Sequence, residues 1–167
     1  MEIGTPRVYG VVDCAIDPRL YEHVARLEPQ SAACLFEGRL HPQVRAVSPY
    51  LVELSPTDPL NRLWIGEGWG RSWGILIGSQ ADLPVVRRRL RHFTQARLPA
   101  GEGPVLFRFW DPRVFRVYLP LVEADQLDDW FRAIDHYIAE TEDGQGSICY
   151  SLQASGLKVE TGPRLKV

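Results

Sequence analysis

Three Asp-Pro pairs constrain the fold of this chain more than any other feature of its sequence. They stand at Asp17-Pro18, Asp58-Pro59 and Asp111-Pro112, and each comes after an apolar run. An aspartate before a helix accepts a hydrogen bond from the backbone of the first turn, and proline fits the first helical position but interrupts a strand. Each pair therefore predicts a point where a strand has ended and a helix begins.

The apolar runs between these pairs have the length and composition of buried strands. Apolar residues at helical spacing predict helices that begin at each Asp-Pro pair, after Asp82 and near Leu127. The predicted strands are Val8–Asp13, Ala32–Phe36, Tyr50–Leu54, Ser72–Ile77, Val105–Trp110, His136–Ala139 and Ile148–Leu152.

This alternation of strands with helices predicts an α/β fold, in which a mixed β-sheet is flanked by helices. The 167 residues suit a single domain, which we place at residues 1–155. We expect residues 156–167 to form a C-terminal extended tail that follows this domain.

The bulk composition favours a protein that stays in the cytoplasm. Its formal net charge of -2 predicts neither nucleic-acid nor membrane binding. No run approaches the roughly 20 apolar residues of a membrane span, and Met1–Gly10 lacks the apolar core of a signal peptide. Cys14, Cys34 and Cys149 are widely spaced among apolar residues, so we expect free thiols in a reducing compartment.

No pattern in the sequence predicts catalysis, a metal site or a cofactor. Gly66, Gly68 and Gly70 suggest a phosphate-binding loop, but they follow a predicted helix, whereas such a loop follows a strand. The four histidines lack metal-ligand spacing, and the cysteines lie in predicted strands, where inert thiols prevail. We therefore expect no catalytic residue, no metal and no cofactor.

The segment Leu106–Val114 is the most distinctive part of the chain. Its aromatic residues predict an interior strand that leads into the helix at Pro112. Asp111 is expected to cap that helix and also to pair with the guanidinium group of Arg108. On this interpretation Arg108, Asp111 and Pro112 form a structural motif at a strand-to-helix corner.

The same segment resembles the hallmark of a known protein family. The run Arg108-Phe109-Trp110-Asp111-Pro112-Arg113-Val114 is similar to one found in type VI secretion adaptors, the effector chaperones called Tap, TEC or VasW-like proteins. Val11–Tyr21, Cys34–Gly38 and Trp69–Ile75 match further landmarks of that family in order. The resemblance implies a non-catalytic adaptor that binds a cognate toxic effector in the cytoplasm and helps to load it onto the spike protein VgrG.

An adaptor of this kind needs an exposed surface of aromatic and arginine side chains, because such residues anchor protein interfaces. The four arginines at positions 87, 88, 89 and 91 also suit a plain solvated helix face, and Trp110 and Arg113 also suit a structural role. Trp73 is assigned to the core, because it shares a predicted strand face with Ile75 and Ile77. The candidates for partner binding are Trp69, Trp110, Arg113, Arg87, Arg88 and Arg91.

Two other function classes stay open: a small α/β hydrolase or nuclease, and an immunity protein that neutralises a toxin. An enzyme would gather polar residues with perturbed pKa values in a pocket, whereas an adaptor would expose an apolar or aromatic patch. The expected partner is the cognate effector, with VgrG as a second candidate. Nucleic acid and membrane are not expected partners.

Overall fold

The computed structural model describes residues 6–97 and 103–166. The strands are β1 (Arg7–Asp13), β2 (Ala32–Cys34), β3 (Pro49–Glu53), β4 (Gly74–Ser79), β5 (Gln95–Arg97), β6 (Pro104–Leu106), β7 (His136–Glu140), β8 (Gly146–Gln153) and β9 (Gly156–Pro163). The helices are α1 (Pro18–Val24), α2 (Pro42–Ala46), α3 (Pro59–Leu63), α4 (Leu83–Arg91), α5 (Pro112–Tyr118) and α6 (Ala124–Phe131). A π-helical turn at Trp64–Gly68 continues α3, and a 3-10 turn at Leu119–Leu121 continues α5.

Seven of these strands form one sheet in the order β2-β3-β1-β4-β7-β8-β9, while β5 and β6 pair separately. This arrangement confirms the prediction of one α/β domain with a sheet flanked by helices. The sheet differs from the expected mixed one in a single respect, since every strand pair described is antiparallel. Short hairpins join β7 to β8 and β8 to β9, and hairpins impose antiparallel pairing.

The expected C-terminal tail is instead part of the sheet. Residues 156–163 form β9, which pairs with β8 along its whole length and lies at the edge of the sheet. Gly156 adopts a φ of 110°, which a tight turn between the two strands requires. The boundary placed after residue 155 is therefore wrong, because that position is a turn within the domain.

The Asp-Pro pairs begin helices as predicted. Asp17, Asp58 and Asp111 each accept a hydrogen bond from the backbone N–H two residues further on, at 2.9, 2.8 and 2.9 Å. The helix after Asp82 also begins where expected, although the Asp82 side chain makes no such capping bond in the described structure.

Each face of the sheet carries its own hydrophobic core. One core packs beneath α4, α5 and α6, and the other beneath α1, α3 and the π-helical turn. Residues that alternate along a strand divide between the two faces. The first core includes Tyr9, Val11, Ile75, Ile77, Phe109, Phe115, Trp130 and Tyr137. The second includes Val12, Leu20, Val52, Leu60, Trp64, Trp73 and Leu76.

Trp73 is buried as predicted, but it lies in the second core rather than beside Ile75 and Ile77. The residue precedes β4, and Gly74 follows it with a φ of 154°. This positive φ at the first residue of β4 breaks the alternation on which the shared strand face was predicted.

The predicted interior strand over Val105–Trp110 is wrong. Only Pro104–Leu106 is extended, and it pairs with β5 outside the main sheet. Phe109 and Trp110 are nevertheless buried, with the Phe109 ring edge-on to Trp130 of α6 at 5.7 Å. The aromatic density that suggested a strand therefore serves to pack a turn against the helical layer.

We expect Gly74→Ala to lower the free energy of unfolding by at least about 2 kcal/mol. A Cβ atom at Gly74 would clash with the carbonyl oxygen of Val11 in β1, and the positive φ adds strain. Gly66→Ala is the matched control, because a Cβ atom there meets nothing within 4 Å. Urea unfolding of both variants measures the difference, and equal stability would contradict the prediction.

Candidate partner-binding surface

A buried carboxylate at the end of β1 organises the corner that leads into α5. Asp13 Oδ2 accepts hydrogen bonds from Arg108 Nη2 at 2.5 Å and from Trp110 Nε1 at 3.0 Å. Its Oδ1 accepts a third from the backbone N–H of Ala15 at 3.1 Å. The predicted Arg108–Asp111 pair is therefore wrong, because Arg108 binds Asp13 at the end of β1 instead. Local sequence could not indicate a partner so far away in the chain.

Asp111 has its own arginine partner two residues further on. Arg113 donates from Nε to Oδ1 at 3.0 Å and from Nη2 to Oδ2 at 2.7 Å, in addition to the backbone cap. Burial would raise the pKa of Asp111, but these hydrogen bonds and the positive charge of Arg113 hold that pKa below its ordinary value. The Arg113 side chain is still 61% exposed. It therefore binds Asp111 and faces solvent at the same time.

The same geometry recurs at Asp17-Pro18-Arg19. Arg19 donates from Nε to Asp17 Oδ1 at 3.1 Å and from Nη2 to Oδ2 at 2.9 Å. Its guanidinium group also lies 5.6 Å from the centre of the Trp73 ring. The chain thus contains two Asp-Pro-Arg corners at one end of the sheet, with α1 on one face and α5 on the other.

A third buried carboxylate, that of Glu140 at the end of β7, lies at this same end. Its oxygens accept hydrogen bonds from the backbone N–H groups of Gly70 at 2.6 Å and Ser72 at 2.8 Å. Both residues have positive φ angles, of 89° and 59°, so Glu140 holds a strained loop in place. This role could not be predicted from sequence, because Glu140 simply follows a predicted strand and its donors lie about 70 positions earlier.

These buried carboxylates act as structural acceptors. Asp13, Asp111 and Glu140 each bind donors from the chain's own backbone or side chains. Within residues 6–97 and 103–166, no three His, Cys, Asp or Glu side chains come together as metal ligands could. The hydrogen bonds of these carboxylates fix the adjoining loop and helix ends in space.

Two of the aromatic residues expected to bind a partner are buried instead. Trp69 is only 4% exposed and donates from Nε1 to the carbonyl oxygen of Gly146 at 3.1 Å. Trp110 is 1% exposed and donates to Asp13. Neither indole can contact a partner in this conformation, because each already fills an internal position and uses its only donor there.

The arginines of α4 divide in the same way. Arg87 donates from Nε to the carbonyl oxygen of Cys34 at 2.7 Å, and Arg91 forms an ion pair with Glu37. Both therefore brace α4 against β2 and the loop that follows it. Arg88 is exposed and stays available to a partner, as does Arg113.

An apolar surface next to the corner was missed at the level of sequence. We call it the α5 patch and define it as Leu106, Phe107, Val117, Tyr118 and Leu121. Leu121 is 75% exposed, Val117 66% and Leu106 55%, and the Phe107 and Tyr118 rings lie 4.6 Å apart. The segment after Pro112 carries more apolar residues than one buried helix face can hold, which was the available signal.

A protein-family model described as "Domain of unknown function (DUF4123)" matches residues 8–129. The matched region includes both Asp-Pro-Arg corners and the whole α5 patch. No curated protein and no solved structure shows significant similarity to this chain. No described helix has the length and apolar character that crossing a membrane requires.

We expect Asp13→Ala to lower the free energy of unfolding by about 2–4 kcal/mol, because it leaves the buried Trp110 N–H without an acceptor. Arg108→Gln should cost no more than this, since Trp110, Ala15 and the new amide group can still donate to the carboxylate, although its buried charge loses its cationic partner. Chemical unfolding of the two variants compares them. A milder effect for Asp13→Ala than for Arg108→Gln would show that the corner depends on the guanidinium.

The depressed pKa of Asp111 predicts a loss of stability in acid. A carboxyl group whose pKa is lower in the folded state stabilises fully above its ordinary pKa of 3.8, and this contribution disappears as the pH falls through the folded value. Asp111→Asn retains the cap but removes the titration. Between about pH 6 and pH 2 the variant should therefore lose less unfolding free energy than the wild type. Parallel pH curves would contradict this.

Proposed function

This chain belongs to the DUF4123 family, and we propose that it is a type VI secretion adaptor. In this proposal it binds a cognate toxic effector in the cytoplasm of the producing cell and helps to load it onto the spike protein VgrG. The resemblance of the run Arg108–Val114 to such adaptors supports the specific role, and the family match covers that run.

The observation that carries the proposal is the α5 patch. An adaptor must hold its client through a surface that is open to solvent, and contiguous exposed apolar side chains favour contact with another protein. Arg113 precedes Val117 by four positions on α5, which places its exposed guanidinium group along the same helix face. Apolar contacts with an arginine at their rim are typical of protein interfaces.

The corner beneath the α5 patch supports a binding role because it holds the patch in one position. Asp111 caps α5, and Asp13 ties the preceding turn to β1 through Arg108 and Trp110. A surface held in its bound geometry loses little conformational entropy when a partner docks. We propose that the protein works by this binding alone, without turnover.

A stable complex of this kind should bury upward of about 1,000 Å² in total. The α5 patch would form the centre of that interface, and polar residues around it would form the rim. Binding must still allow release, because the effector leaves the cell on the spike.

The test is the double variant Val117→Asp/Leu121→Asp. Both side chains are exposed, so we expect unchanged folding and at least about a tenfold loss of affinity, since two charges would lie in an apolar contact. Val44→Asp is the matched control, because Val44 is also exposed but lies on α2. Co-purification with the effector encoded beside this protein gives the readout.

Secretion supplies a second measurement. Deletion of the adaptor should abolish delivery of that one effector while the secretion machine still fires, and the Val44→Asp chain should restore delivery. Normal delivery without the adaptor, together with no complex between purified proteins, would contradict the proposed function. Equal binding by the patch variant and the control would reject the α5 patch as the docking surface.

A further inference from the structure

A concave basic surface lies on the outer side of the helical layer, where the end of α4 meets the turn after α6. The cavity there has a volume of about 340 Å³. It is large enough for one or two side chains of a partner and too small for a folded element. We call it the α4–α6 cavity and define it by its lining residues, which are Val85, Arg88, Arg89, His92, Arg132 and Ala133.

The charges around this cavity are unbalanced. Three arginines and a histidine line it, and the ion pairs that they form within the described residues all go to Asp129. Arg89 binds the Asp129 side chain at 2.6 Å and Arg132 binds it at 3.2 Å, whereas Arg88 forms no ion pair within the described part of the chain. The concave surface therefore has donors and positive charge in excess of its acceptors.

The walls of the cavity are fixed by bonds to the sheet. Ala133 adopts a φ of 64°, and its carbonyl oxygen accepts a hydrogen bond from the buried Ser79 hydroxyl at 2.6 Å. The Tyr137 hydroxyl donates to the carbonyl oxygen of Trp130 at 2.6 Å. Arg89 also donates from Nε to the Asp129 carbonyl oxygen at 2.8 Å. A strained backbone held from several sides gives the cavity its shape before any ligand binds.

We propose that the α4–α6 cavity binds the acidic side chains of a short protein segment. The planar guanidinium groups of Arg88 and Arg132 are suited to carboxylates, which they bind through paired hydrogen bonds. This inference rests on the proposed function in one respect, since it assigns that acidic segment to the cognate effector. The cavity would then be a second contact point, separate from the α5 patch.

The surroundings of the cavity favour an acidic segment over nucleic acid. Glu123, which precedes α6, and Asp125 and Asp128 within it are exposed, and in the chain they come before Arg132 and Ala133 of the cavity. An extended polyanion would bring its backbone phosphates against these carboxylates, whereas a short acidic segment can insert without meeting them. The net charge of -2 gives no general attraction for nucleic acid either.

The experiment follows the backbone amide signals of the full chain by NMR while a short oligoglutamate peptide is added. Shifts should centre on Val85, Arg88, His92 and Ala133, and an oligoglutamine peptide of equal length should cause none. Arg88→Gln/Arg132→Gln should weaken binding at least about tenfold, because it removes two charge-assisted contacts. Arg26→Gln/Arg62→Gln, which changes two exposed arginines near the opposite face, should bind as the wild type does.

Three results would overturn the inference: no shifts at the cavity, equal weakening by both double variants, or tighter binding of a single-stranded DNA oligonucleotide there. Co-purification with the effector separates this inference from the proposed function. If the Arg88→Gln/Arg132→Gln chain retains the effector fully, the cavity assignment fails and the adaptor role stands. If the wild-type chain binds oligoglutamate at the cavity but never the effector, the adaptor role fails and the ligand class stands.

Discussion

The carboxylate of Asp13 joins the end of β1 to the turn that leads into α5, and the helical layer depends on that junction. Arg108 and Trp110 both donate to one of its oxygens. Because Phe109 lies between these two residues in the chain, the junction also directs its ring into the core against α6. A buried carboxylate without these donors would be costly. The end of β1 therefore depends on Arg108 and Trp110, and their turn depends on Asp13.

Asp13, Asp111 and Glu140 lie at one end of the sheet, and all three are almost fully buried. Each carboxylate accepts hydrogen bonds from groups that fix a loop or a helix end. The exposed surfaces lie beside this rigid end rather than within it. This division suits a protein whose task is to present fixed surfaces to a partner, as the proposed function requires.

The helix starts could be predicted from sequence because capping is local: Asp111 and the backbone N–H that it binds are two residues apart. The partner of Arg108 could not, because Asp13 lies 95 positions away. The prediction that Trp69 is exposed failed for a related reason, because the carbonyl oxygen that its Nε1 binds belongs to a strand 77 positions further along the chain. Helical periodicity likewise finds the apolar residues of α5, but it cannot tell which face stays uncovered.

The long sequence separation between Asp13 and Arg108 also has a consequence for folding during synthesis. Ribosomes extend a chain by about 5–20 residues per second, so Asp13 leaves the exit tunnel on the order of ten seconds before Arg108 does. During that interval β1 can pair with β3 and β4, but the carboxylate at its end must remain hydrated. The helical layer therefore closes late in synthesis, and until then the face beneath it is open to chaperones.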